Sequence, residues 1–457
     1  MLAVCLAWCC TSCGRLPSSS GRNSASCPAP TAARHVVSIT QSGGHGVVPP
    51  ARLLWASTLR GGSAFAEALS PDGTRLFVLG HVGSAVKSET VAYSTATGAR
   101  LWADTYPPHL GGGQGLEIAV SPDGAQVYTG LGNVTIAYAA STGRQLWVSH
   151  SKNVNVLGLA ASPDGTTVYE AGGFRVPGRG SYVAVIAYDA ASGRQRWLRV
   201  YKRAGTGAAV GVAVSPDGST VYVAGEAAAR LSSSFSLFSL LVVTYTATGT
   251  LKWATRYANR HTGGHYAGGA FPGPIVLGPG GKALYVVGHV SSKAGHQVAA
   301  TFAFRAATGK CLWMEPDRAR GWGGKVAVTP DARTVIFVGN RTGEDAGYAI
   351  TSYDASNGAT RWARRAAVPG TAPINANGIV IDPRGDTAYV ASLGYGGVFY
   401  NIAAWSVARG TVLWTTRYAV AMGYSPVAIT ESSDGARLYL TGNVGTNGGM
   451  TTVAYRT

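Results

Sequence analysis

Small and β-branched runs such as Val210-Gly211-Val212-Ala213-Val214 lead again and again into a short polar turn. The turn is Ser-Pro-Asp-Gly at 70, 121, 162 and 215, and it recurs in altered form as GPGG at 278, TPDA at 329, DPRG at 382 and SSDG at 432. Proline fixes φ at the second position, Asp bonds the local backbone and Gly accepts positive φ, so each tetrapeptide predicts a tight connection between two strands, A and B. The spacing is about fifty residues, the period of propeller blades built from four strands each.

Aromatic positions mark the rest of each unit. Phe77, Tyr128, Tyr169, Tyr222, Tyr285, Tyr389 and Tyr439 follow the turns on strand B, with Ile336 as the exception. Tyr93, Tyr138, Tyr188, Tyr245, Phe304, Tyr353, Trp405 and Tyr455 mark strand C. A Gly-containing turn then leads to a tryptophan on strand D: Trp102, Trp147, Trp197, Trp253, Trp313, Trp362 and Trp414. Large rings outward and Ala or Gly on strand A give each blade the wedge shape that a ring requires.

Eight turns are followed by only seven such tryptophans, because the sequence stops soon after Tyr455. The strand D pattern reappears at Arg52–Arg60 around Trp55, with no A, B or C strand before it. It is expected to pair with the last blade. The prediction is an all-β, eight-bladed propeller of four-stranded antiparallel blades over residues 51–457, closed by this N-terminal strand, with residues 1–50 a leader or disordered segment.

The segment Ala187-Tyr188-Asp189-Ala190-Ala191-Ser192-Gly193-Arg194-Gln195-Arg196-Trp197 resembles the tryptophan-docking motif of quinoprotein-type (PQQ-like) propellers. The resemblance implies that each tryptophan packs on a glycine peptide of the next blade, with Trp197 as a ring and glycines such as Gly143 or Gly193 as the surface met. It also implies either a quinone-dependent oxidoreductase or a non-catalytic assembly or binding protein. The first would need carboxylates for calcium, a general base and an arginine over the quinone.

Composition narrows this. Only 13% of the residues are charged and 46% are apolar, which supports a packed body. The net charge of +17, from 38 basic against 21 acidic residues, permits an anionic partner such as wall polymer, anionic lipid or nucleic acid, although no nucleic-acid motif is present. Cys5, Cys9, Cys10, Cys13 and Cys27 crowd the N-terminus and only Cys311 lies beyond, so the body is expected to have no disulfide and to rest on packing alone. Residues 2–10, LAVCLAWCC, read as a signal h-region without a basic start, and the Cys13 region faintly resembles a lipoprotein cleavage box. A secreted or envelope-associated monomer, lipid-anchored or free, is expected, with no transmembrane helix.

Candidate chemistry is sparse. Asp72, Asp123, Asp164, Asp217, Asp331, Asp382 and Asp434 are spent in the A–B turns, which removes seven acids from the pool for catalysis. The B–C loops (81–90, 172–180, 226–240) and D–A loops (258–273) are long and dissimilar, so the face they share is the candidate ligand surface. On it the sequence places His81, Glu170, Glu226, His261, His265, Tyr266 and His289. Glu170 and Glu226 are read as strand B endings on a solvated rim, with calcium as the sharper alternative. Arg199, Arg256 and Arg417 follow strand D tryptophans and either protect the blade edges or contact an anionic partner.

The reading that follows is a non-enzymatic binding scaffold for a protein or an envelope polymer, with no cofactor expected. A PQQ- and calcium-dependent oxidoreductase is the alternative, and a hydrolase or lyase of sugar polymers has no residue pattern behind it.

Overall fold

The computed structural model describes residues 27, 51–83, 87–107, 116–230, 236–257, 275–291, 297–316, 324–341, 347–366, 375–393, 399–420, 423–445 and 448–457. Eight four-stranded antiparallel sheets follow one another along the chain. Blade 1 shows the plan: strand A is Gly62–Leu69, B is Arg75–Val82, C is Lys87–Ser94 and D is Arg100–Tyr106. Strand A of each blade lies against strand A of the next, so the A strands surround the axis and the D strands form the outer wall. The eighth sheet joins Gly423–Glu431, Arg437–Val444 and Gly449–Arg456 to Arg52–Arg60, with Arg52 opposite Arg456 and Arg60 opposite Gly449. The ring is closed by the strand that the sequence left over.

Each A–B turn is held as its chemistry dictates. In the first, the Ser70 hydroxyl donates to Asp72 at 2.5 Å, the Thr74 N–H donates to the same carboxylate at 3.0 Å, and the Arg75 N–H donates to the Ser70 hydroxyl at 2.9 Å. These donors, the Ser70 hydroxyl first, hold the Asp72 carboxyl below its ordinary range, and the same pattern lowers Asp123, Asp164, Asp331 and Asp434. Asp382 stands in the first position of its turn rather than the third, so its own carboxylate replaces the serine hydroxyl and accepts from Asp386 N–H and Thr387 N–H.

The core runs between blades. Phe77 and Leu79 of blade 1 pack with Ile118, Val127 and Tyr138 of blade 2, and equivalent clusters repeat around the ring. Near the axis the A strands approach closely: a Cβ on Gly158 would lie 3.1 Å from the Gly211 Cα of the next blade. Small residues on strand A are therefore a geometric requirement.

One expectation about stabilisation is corrected. Cys27, from the segment assigned to the leader, is disulfide-bonded to Cys311 on strand D of blade 5 (Cys311–Pro316), and it packs against that blade's core cluster. The body is not held by packing alone. Spacing concealed the pair, because the two cysteines are 284 residues apart.

Candidate functional site

Seven of the eight strand D tryptophans dock in the same way. The indole N–H of Trp55, Trp102, Trp147, Trp197, Trp253, Trp313 and Trp362 donates to a carbonyl in the C–D turn of the following blade, at 2.7–3.1 Å. Each ring also covers the glycine of that turn. The expected direction holds but the named glycines are corrected: Trp197 meets Gly249, whereas Gly143 lies under Trp102 and Gly193 under Trp147. Docking runs forward along the chain, from each blade to the one after it. Trp414 faces the seam, where Gly449–Arg456 pairs with Arg52–Arg60 and no C–D turn joins them; it packs on Tyr389 at 5.7 Å and shares a cluster with Tyr455.

The position two residues after the tryptophan adds a second latch. Ser149 and Thr255 hydroxyls donate to the docking-glycine carbonyls Gly193 and Gly309, and Arg199 does the same to Gly249 at 2.6 Å while its guanidinium lies 5.6 Å from the Trp197 ring centre. Arg256 is half-buried and donates to the Ser239 hydroxyl at 2.8 Å, and Arg417 sits 6.0 Å from the Phe399 ring centre. All three are engaged within the propeller.

The loop-face candidates separate. His81, Glu226 and His289 occupy one register on strand B, eleven residues after their turns, in blades 1, 4 and 5; the two histidines are therefore on opposite sides of the ring. His81 stacks against Phe65 at 4.8 Å, and burial lowers its pKa. His289 is buried, and desolvation raises the Glu226 carboxyl. In blades 6 and 8 the same register holds Asn340 and Asn443, which bond the Ala376 N–H and both backbone groups of Ala64 in the next blade. In these two blades the position latches adjacent blades together. His261, His265 and Tyr266 lie outside the described residues.

Two readings of strand B change. Neither Glu170 nor Glu226 ends its strand, because the hairpin ladders continue past them: Glu226 pairs with Leu240, and Thr167–Val176 extends six residues beyond Glu170. Glu170 is 0% exposed, between Leu159 and Ile186 and beside Tyr188, at a position held by Val78, Val223, Val286 and Val390 in other blades. It is a core residue, not a rim residue. Burial pushes its pKa to about 8.

Carboxylates that the sequence reading passed over lie on the A strands. Glu67 is lodged between blades 1 and 8 with Thr441 and Thr430 beside it, and burial raises it to about 7. Glu117, four residues before its turn, is likewise raised by desolvation to about 7, against the pull of Lys325 in blade 6, whose own pKa burial lowers. The other described blades carry Ala66, Gly158, Gly211, Gly378 or Ala428 at that position. Two large charged side chains among small ones, on opposite walls of the channel, were the available signal. Among the described residues no three His, Cys, Asp or Glu side chains gather into a metal-binding group. A cavity of about 610 Å³, lined by Gly278, Tyr285, Arg305, Ala332 and Ser356, lies instead on the turn face between blades 5 and 6.

Forward docking of tryptophan on glycine around an eight-bladed ring is the deciding observation. The chain is an eight-bladed β-propeller that resembles PQQ-like propellers. Residues 86–301 match the family described as outer membrane protein assembly factor BamB. The propeller is similar in fold to quinohemoprotein alcohol dehydrogenase from Comamonas testosteroni (15% identity, 90% of this chain and 77% of that one, TM-score 0.58). It is similar also to BamB from Moraxella catarrhalis (14% identity, 88% and 99%, TM-score 0.54) and to the Dos1 propeller (12% identity, 89% and 95%, TM-score 0.62). No curated protein sequence matches it. At these identities the likeness establishes the fold alone. No helix among the described residues is long and apolar enough to cross a membrane.

Proposed function

We propose that this propeller is a non-enzymatic binding scaffold of the cell envelope or exterior, and that it engages a protein partner through the hairpins of blades 3 and 4 on the loop face. The observation that carries this is their length. The B and C strands are ten residues each in blade 3 (Thr167–Val176, Gly180–Asp189) and eleven each in blade 4 (Thr220–Arg230, Ser236–Thr246), against six each in blade 2 (Gln126–Leu131, Val134–Ala139). The blade 3 hairpin packs on strand A of blade 4 (Thr206–Val214): a Cβ on Gly173 would stand 3.2 Å from Ala208, and one on Gly180 would stand 2.9 Å from Thr206. A paired, ladder-stiffened projection offers a preformed surface at low entropic cost. The described tip is exposed and basic, with Arg175 and Arg179 flanking Pro177.

The Cys27–Cys311 bond supports an oxidising compartment, and the family match to an outer membrane assembly factor supports the envelope. A quinone with calcium would need convergent carboxylates, and the described acids diverge: Glu67 points between blades, Glu117 faces a lysine and Glu170 is in the core. The described residues do not fit that cofactor.

Two measurements test the reading. Purified protein mixed with pyrroloquinoline quinone and calcium is expected to show neither a thermal shift nor dye reduction with alcohols or sugars; turnover would overturn the scaffold. A photo-crosslinker at Arg179 is expected to trap a protein partner in intact cells, and one at Arg194 on the turn face is not. Equal trapping at both would remove the hairpins as the contact.

A further inference from the structure

Every strand D carries a β-bulge at the residue just before its tryptophan, where the register with strand C slips by one. Blade 5 carries Leu312 at the bulge, alone between two basic neighbours, and the other seven bulged residues fall into two groups. In blades 3, 4 and 6 they are Arg196, Lys252 and Arg361, which bond their own blades: Arg196 to Asp189 at 2.8 Å, Lys252 to Thr220 at 2.9 Å and Arg361 to Asp354 at 2.8 Å. In blades 7, 8, 1 and 2 they are Leu413, Leu54, Leu101 and Leu146, four leucines on consecutive blades.

The middle of this arc is exposed, whereas Leu413 and Leu146 at its ends are half-buried against the core. Leu53 and Leu101 are 45% and 46% accessible, and Leu54 and Val412 are also among the exposed large apolar side chains, four of the six among the described residues. Exposed guanidiniums are interleaved with them at Arg52, Arg100, Arg144, Arg409 and Arg456. Asp104 is the one carboxylate on the four D strands concerned. An open strand edge would ordinarily invite an added β-strand, but a bulge breaks the ladder and turns the edge away. Bulged leucines ringed by arginine suit a fluid surface that is apolar beneath an anionic layer.

We infer that the outer wall of blades 7, 8, 1 and 2, centred on Leu53, Leu54 and Leu101, docks on an anionic phospholipid surface, with the leucines entering the headgroup boundary and Arg52, Arg100, Arg409 and Arg456 meeting lipid phosphates. The wall is separate from the hairpins of blades 3 and 4, so this inference and the scaffold reading fail independently.

The test is co-sedimentation of the whole chain with vesicles of phosphatidylcholine alone and with about 30% phosphatidylglycerol added. Retention is expected on the anionic vesicles only, and it should weaken as salt is raised. Leu54→Ser with Leu101→Ser should lower partitioning roughly tenfold, and Arg52→Glu with Arg100→Glu should abolish it. Arg194→Glu with Lys310→Glu, the same charge change on the opposite half, should leave it within about twofold. The arginine pairs lie on the surface and serve should the serine variant fail to fold, which its thermal melt reports. The inference is overturned by no retention on either vesicle, by equal loss in the Arg194/Lys310 variant, or by undiminished binding of a folded leucine variant.

Discussion

The Trp147 ring lies over the Gly193 peptide of the next blade, and its indole N–H reaches the Ala190 carbonyl at 2.9 Å. Gly193 has φ of +69°, and a Cβ there would stand 2.6 Å from the ring, so two independent penalties fall on one position. Gly193→Ala is expected to cost about 2–4 kcal/mol. Trp147→Phe loses the indole bond as well as ring area and should cost about 2–3 kcal/mol. Trp414→Phe at the seam has no docking glycine to lose and should cost less. Chemical denaturation of the three variants checks the order.

The buried carboxylates set a pH dependence whose sign is fixed by their environment. Burial raises Glu170 and Glu431 to about 8 and Glu67 to about 7, from ordinary values near 4.5. A carboxyl whose folded pKa lies above its unfolded value favours the folded state fully in acid, and that advantage is lost as pH climbs from about 4.5 through the folded value. Stability should therefore fall between pH 5 and roughly pH 8 to 9, with Glu170 alone contributing on the order of 5 kcal/mol of the change. Glu170→Leu, which matches the apolar residues of other blades, should flatten the alkaline side of the curve. Thermal melts from pH 5 to roughly pH 9 read this directly; a wild-type curve that rises with pH would contradict the assignment. The turn aspartates act oppositely, since Asp72 and Asp123 are lowered and their contribution disappears only in stronger acid.

The fold was legible in the sequence because a propeller repeats its physics. Turn, ring and tryptophan recur in one order, so eight weak signals reinforce one another, and the unmatched strand around Trp55 announces the closure. What stayed hidden depends on a third dimension. Glu170 and His81 both follow A–B turns on strand B, but one lies in a register between apolar neighbours and the other three residues further on beside Phe65, a difference that no composition shows. The Cys27–Cys311 pair was out of reach because spacing says nothing about two cysteines joined through tertiary proximity alone.

That disulfide ties Cys27 to the outer strand of blade 5, while Arg52–Arg60 closes blade 8. Cross-linking residues so far apart in sequence removes much freedom from the unfolded chain, so Cys311→Ser is expected to cost about 3–5 kcal/mol. The checks are a lowered denaturation midpoint for the variant, matched by wild-type protein under reductant. A proteolytic fragment that joins the Cys27 and Cys311 peptides and separates only after reduction establishes the bond itself.

Ring closure is secured by side chains as well as by the strand ladder. Asn443 on the last blade accepts from the Ala64 N–H and donates to the Ala64 carbonyl at 3.2 Å, so one amide satisfies both backbone groups just ahead of a bulge on the first blade. Asn340 accepts from Ala376 N–H at the interface of blades 6 and 7, away from the seam. Removing a side chain that pairs buried backbone groups leaves them unsatisfied, at roughly 1–3 kcal/mol each. Asn443→Ala should therefore destabilise more than Asn340→Ala, because it strips two groups rather than one. The seam is also where no covalent turn joins strand C to strand D, so the loss there should admit local opening. Hydrogen exchange of the Arg52–Arg60 amides is expected to accelerate in Asn443→Ala and to stay unchanged in Asn340→Ala. Equal exchange in both would mean that the strand ladder alone holds the ring shut.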